Sequence, residues 1–164
     1  MMTRILRHFL TGQWAVRRQF PAVALTTIEQ AIQQSEMRHS GEICFVVEAA
    51  LSTVALLKNQ SARERALEVF SQLRIWDTEH NNGVLIYLLL ADRDVEIIAD
   101  RGIHNAVSPT EWEDICHAME SAFQQQQFTT GIVDGIERVT LLLQRHFPAQ
   151  PDEKNAVTDR PVIL

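Results

Sequence analysis

A chain of 164 residues, 46% hydrophobic and 22% charged, is long enough to bury one core and has the composition of an ordinary globular domain. Its net charge of −6 argues against nucleic acid as a partner, since that role needs a basic face. The longest apolar run, Gly83 to Ala91, is less than half of the ~20 residues that a membrane-spanning helix requires.

Residues Met1 to Pro21 place Ile5, Leu6, Phe9 and Leu10 at helical spacing, with Arg4, Arg7, Arg17 and Arg18 between and after them and no acidic residue before Glu29. Two placements fit such a basic amphipathic helix. It lies flat on an anionic membrane surface through those arginines, or it packs its apolar stripe on the domain. The second is the more ordinary use of such a stripe. Gly12 and Gln13 interrupt the apolar run and no small-residue cleavage site follows, so the segment does not read as a signal peptide. The expected location is the cytoplasm, with peripheral contact at the inner membrane if the first placement holds.

Thr26 and Glu29 have the spacing of a capping box and predict a helix running to about His39, closed by Ser40-Gly41. Glu42 then opens an unbroken apolar strand, Ile43 to Glu48, of the kind covered on both faces. Ala49 to Asn59 reads as a loop with a helical turn. Ser61 and Glu64 form a second capping box, and the helix they start is expected to end near Trp76. After the polar loop DTEHNNG comes the strand GVLIYLLLA. Strand, helix, strand predicts a parallel βαβ unit. Asp92, Arg93 and Asp94 are too few for another crossover, so Val95 to Ala99 returns as an antiparallel hairpin. Ser108-Pro109-Thr110-Glu111 is a strong helix start, followed by the stripe Trp112, Ile115, Cys116, Met119 and Phe123. A last helix begins at Thr129 or Thr130, turns Ile132, Ile136, Val139, Leu143 and Phe147 inward, and stops at Pro148.

The fold class is therefore α/β: a small mixed central sheet, made of a βαβ unit plus an antiparallel hairpin, sandwiched by helices. The chain divides into a basic amphipathic segment over residues 1–22, an α/β domain over 23–147 and a disordered tail over 148–164.

Strand directions bring distant residues together. Glu42, the loop residues Asp77, Glu79, His80, Asn81 and Asn82, and the hairpin exit Asp100, Arg101 and His104 all fall on one rim of the sheet. Glu48, Asp92, Arg93 and Asp94 fall on the other. Carboxylates and amides at one rim supply the oxygen ligands of hard cations such as Ca²⁺ or Mg²⁺. The ordinary reading is that strand ends are polar and solvated. Asn82-Gly83 is also turn chemistry. His80 and His104 lack a third ligand at zinc spacing. Cys44 and Cys116 sit in apolar contexts and read as buried reduced thiols. Ser61 and Ser108 are explained as caps, and no nucleophile or nucleotide motif occurs.

The run NNGVLIYLLLADRDVEIIADRGI, followed by two helices joined through QQQQFTTGI, resembles the TPM domain family of bacteria and plant thylakoid-lumen proteins, over about Leu25 to Phe147. The resemblance implies an α/β sandwich around a central sheet, with a divalent cation on acidic rim residues. It also implies links to acid phosphatase activity and photosystem repair, known for plant members, and to membrane tethering, common among bacterial ones. The family's aspartate-asparagine-glycine falls on Asn81, Asn82 and Gly83, and its glycine-aromatic-glycine exit on Asp100, Arg101 and Gly102. The first departure removes a carboxylate. The second adds one, with a cation beside it. Candidate metal ligands are thus Asp77, Glu79, Asn81 and Asp100, with Glu42, His80, Asn82, Arg101 and His104 as ligand or phosphate contacts.

Two functions follow. One is a binding module, with or without a divalent cation, serving a protein partner or a membrane face. The other is a weak cation-dependent phosphatase, in which a rim metal activates water and Arg101 holds the phosphate.

Overall fold

A computed structural model describes residues 2–151 and 155–164; Met1 and residues 152–154, which belong to the expected N-terminal segment and tail, lie outside the described residues. The described elements run α1 (Met2–Leu10), α2 (Gln13–Gln19), α3 (Ala22–Glu36), β1 (Glu42–Glu48), α4 (Thr53–Leu57), α5 (Ala62–Gln72), β2 (Gly83–Leu89), β3 (Asp94–Ala99), α6 (Arg101–His104), α7 (Pro109–Gln124), α8 (Phe128–His146) and β4 (Val162–Ile163).

The four strands form one mixed sheet in the order β3-β2-β1-β4. β1 pairs β2 in parallel with Glu42 opposite Gly83, and β3 returns antiparallel with Ala99 opposite Val84. All residues of β1 and β2 are buried, as their unbroken apolar runs require of strands covered on both faces. Alternation divides them between two cores. Ile43, Phe45, Val47, Val84, Ile86 and Leu88 join the inward stripes of α3, α7 and α8. Cys44, Val46, Leu85, Tyr87 and Leu89 join α5 and Ile75.

Ser61 and Ser108 both cap helices, each accepting from the main-chain N–H of the glutamate three residues on, with Pro109 at the first turn of α7. Other helix bounds differ from expectation for local reasons. α3 starts at Ala22, not near Thr26, because Pro21, at φ −63 and ψ 165, already supplies the extended residue before a helix. It ends at Glu36, short of His39. α5 stops at Gln72, short of Trp76, and Arg74 takes φ 54 in the turn that follows.

Two expectations are corrected outright. The N-terminal stripe does not pack on the domain. Gly12 breaks the segment into two helices, and Leu6, Phe9 and Leu10 are 60%, 67% and 65% exposed while Ile5 alone of the four meets a core. The tail is not disordered throughout: β4 pairs β1 in parallel, Val46 with Val162 and Val47 with Ile163, and Val157 is buried. Polar, proline-punctuated sequence hides this because the ties run through main-chain groups, which every residue carries.

Candidate functional site

The rim predicted from strand direction exists. Its frame is main chain. Asp100 N–H donates to Gly83 O at 2.8 Å and Gly102 N–H to Asn81 O at 2.9 Å, so the exit of β3 lies against the entrance of β2. Asn81 holds φ 51, a left-handed conformation that asparagine tolerates. Asn82 is 1% exposed and structural: its Nδ2 donates to Ser40 O at 2.7 Å and its N–H to Thr78 Oγ1 at 3.0 Å. Gly102 is needed for close approach, since a Cβ there would stand 2.5 Å from Asn81 O and 2.7 Å from His80 O.

The predicted site residues separate within this frame. Arg101 Nε donates to Asn81 Oδ1 at 3.2 Å. Asp100 lies beneath them, buried; one of its oxygens accepts Arg101 N–H at 2.8 Å and the other, Oδ2, is enclosed with no hydrogen-bond partner among the described residues. Glu42 is turned away. Its carboxylate accepts the N–H groups of Ala156 and Val157 at 3.0 and 3.2 Å. Asp77, Glu79, His80 and His104 are exposed. Arg101 and His104 also line one end of an open 660 Å³ groove beside β3, whose other end holds Asp94 and Glu96.

These residues fit a divalent cation only in part. The free Asp100 oxygen is a hard ligand of the right kind. Against it, Asn81 Oδ1 is already held by a guanidinium, Glu42 serves main-chain amides, and among the described residues no three His, Cys, Asp or Glu side chains gather around one point.

At the opposite rim Asp92 anchors the N-terminal helices. Arg4 Nε reaches it at 2.9 Å, Arg7 also pairs with it, and His8 Nε2 lies 3.2 Å away while His8 Nδ1 accepts Leu51 N–H at 3.0 Å. The carboxyl of Asp92 sits below its ordinary range: burial works against this, but the Arg4 and His8 hydrogen bonds prevail. Of the four arginines expected to meet a membrane, Arg4 and Arg7 are thus spent on Asp92, and Arg17 and Arg18 remain exposed. Arg4, Ile5 and His8 of α1 face the protein, while Leu6, Phe9 and Leu10 face out.

Three polar groupings escaped sequence reasoning, which placed Glu48 on the opposite rim but none of its partners. Glu48 is 9% exposed; it accepts Tyr87 O–H at 2.7 Å and the Arg65 guanidinium at 2.9 and 3.2 Å. Burial, then the hydrogen bond to Glu48 and its charge, raises the Tyr87 phenol. A lone tyrosine in an otherwise aliphatic strand was the available signal. Glu36 is pushed up to about 9, first by burial and then by Glu42 and Asp159, although Ile43 N–H donates to it at 3.1 Å. His39 is driven down to about 4 by burial. Its Nε2 lies 2.7 Å from Ser35 Oγ, which bonds Thr140, whose hydroxyl donates to Ile136 O at 2.7 Å. A carbonyl only accepts. Thr140 therefore takes the Ser35 proton and Ser35 takes the His39 proton, so the order of donors points the serine proton away from histidine, the reverse of an activated nucleophile. Burial also raises both Cys44 and Cys116 to about 12, far from reactive thiolates.

Among the described residues no helix is long and apolar enough to cross a membrane. A TPM domain family model matches residues 20–141. The solution structure of BA42 from the psychrophilic bacterium Bizionia argentinensis is similar, with 30% identity, a TM-score of 0.78, and coverage of 88% of this chain and 95% of that one. No curated protein matches the chain.

Proposed function

The chain belongs to the TPM domain family, and we propose that it acts as a binding module whose N-terminal helices lie on an anionic membrane surface. The observation that supports this is the orientation of α1. Asp92, 11% exposed at its side chain, draws Arg4 and His8 inward and pairs with the more exposed Arg7, which leaves Leu6, Phe9 and Leu10 outward. On α2, Trp14 is 61% exposed, with the exposed Arg17 and Arg18 about one turn on. An apolar face with an aromatic and adjacent cations is the chemistry of an interfacial helix. Co-sedimentation with phosphatidylglycerol and phosphatidylcholine vesicles tests it. The protein should pellet with the anionic vesicles, and the Phe9→Ser, Leu10→Ser, Trp14→Ser variant should stay in the supernatant. Equal pelleting of the two proteins would end this reading.

A divalent cation at the rim is a second reading, favoured by the enclosed, unpartnered Asp100 Oδ2. Asp100 would supply the anionic ligand, and a bound cation would polarise an oxygen of a phosphate held near Arg101. The weak phosphatase implied by family resemblance depends on the same ion. Calorimetric titration with Ca²⁺ and Mg²⁺ should show binding that Asp100→Asn removes. A flat titration of the unmodified protein removes both the cation and the phosphatase.

A further inference from the structure

β1 has a full strand, β2, on one side and only β4 on the other. Yet its outer edge is furnished with partners along its length. Ile43 N–H is met by the Glu36 carboxyl at 3.1 Å. Val47 O accepts Leu164 N–H at 3.0 Å, and Ala49 N–H donates to Leu164 O at 3.4 Å. Below the strand, the two oxygens of Glu42 take the consecutive N–H groups of Ala156 and Val157. A carboxylate cradling two successive main-chain amides recognises an extended or turning backbone, whatever its side chains. One side chain of the occupying segment enters the core: Val157 is 8% exposed, with Val162 and Leu164 half-buried at the border of the same cluster.

These are the elements of strand addition: main-chain hydrogen bonds supply the hold and a few apolar sockets supply the choice of sequence. The occupant is tied lightly for a sheet strand, by a two-residue ladder, the Glu42 cradle, the Gln13 amide on Leu164 O at 2.9 Å and one well-buried side chain. Segments with so few buried contacts open separately from the rest of a domain. Nothing in the recognition depends on the occupant belonging to the same chain.

We propose that the outer edge of β1, with the Glu42 cradle and the Val157 socket, is a strand-addition site for an extended aliphatic polypeptide segment, and that residues 155–164 are exchangeable between two copies of this chain. A two-fold exchange of identical segments reproduces every contact of the closed form in each copy, so it adds no new demand on the surface. Tethering makes the chain's own segment a strong competitor, and a free segment binds the unmodified protein about 10²-fold or more weaker than it binds a chain whose own segment is disabled.

The test uses the full chain with Val157→Asp and Val162→Asp, and as probe a fluorescein-labelled peptide of residues 155–164, acetylated and amidated. The double variant, with a cooperative thermal transition, should bind the peptide saturably. A peptide carrying Val157→Asp should bind at least about tenfold weaker, the loss of one buried valine. A folded double variant that does not bind the peptide overturns the site. A second variant guards against misfolding of the first: deleting residues 149–151 shortens the connection through which the segment reaches its own edge, which favours the edge of a second copy. Light scattering should then report a dimer. That dimer should revert to monomer when Val157→Asp is added. A folded monomer from the deletion alone, or a dimer indifferent to Val157→Asp, overturns the exchange.

Discussion

The main-chain N–H of Gly102 donates to the carbonyl oxygen of Asn81 at 2.9 Å, joining residues on either side of a hairpin into one wall of the rim. The approach is closer than any side chain allows. In Gly102→Ala the new Cβ meets Asn81 O and His80 O, two main-chain atoms that cannot swing aside. The variant should lose about 1–3 kcal/mol of stability. Urea unfolding measures it; an unchanged midpoint would mean that the rim is held some other way.

Asp92→Ala should loosen α1 and α2 more than it loosens the sheet. The carboxylate receives Arg4 at 28% side-chain exposure and Arg7 at 57%. Arg7 is open enough to contribute little. The Arg4 and His8 contacts are the stronger part, about 1–3 kcal/mol together. Amide exchange should rise through residues of α1 while β1 and β2 stay protected. Protection of α1 equal to that of the unmodified protein would contradict the anchoring.

Stability should fall from neutral to alkaline pH because of Glu36. Its carboxyl titrates near 4.5 unfolded and is raised to about 9 in the fold. A raised carboxyl favours folding fully below the lower value, and that contribution is lost as pH climbs between the two, with a slope of at most about 1.4 kcal/mol per pH unit. His39, lowered from 6.5 to about 4, acts in the opposite sense and weakens the fold as pH drops across that interval. Where the two windows overlap they offset each other. Glu36→Gln should flatten the alkaline side. Chemical unfolding at pH 6 and pH 9 decides: the same pH dependence in both proteins would place the proton elsewhere.

Tyr87→Phe and Glu48→Ala should differ in severity. Removing the phenol leaves Glu48 bound to Arg65 and should cost about 1–2 kcal/mol. Removing Glu48 strands the phenol and leaves the Arg65 guanidinium with only the exposed Glu68 carboxylate, at 3.0 Å, as its partner, and should cost about 2–3 kcal/mol. Thermal denaturation ranks them. Equal losses would show that the phenol, not the ion pair, holds the network.

Much of the sheet was legible because its signals are local. The unbroken runs of β1 and β2 and the short turn before β3 dictate which strands pair and in which direction. The capping boxes at Ser61 and Ser108 likewise mark helix starts within four residues. The rim followed from direction alone. What stayed hidden depends on partners far away in sequence: Arg4 with Asp92 is 88 residues apart, and Glu42 with Val157 is 115. The amphipathic pattern of α1 was plain, but pattern alone does not say which side a distant carboxylate will claim. Within the rim, the residue types were visible while their partners were not: Glu42 read as a ligand or phosphate contact, and its carboxylate accepts the amides of Ala156 and Val157.

β4 stands after every other described element in chain order, and its partner β1 leaves the ribosome more than a hundred residues before it. Non-local pairing of this kind closes late. Domains begin folding while synthesis continues. A growing chain therefore assembles β1, β2 and β3 with their covering helices before the last ladder exists. For that interval the nascent protein displays a furnished but unfilled strand edge, and polysomes bring sister chains within reach of it.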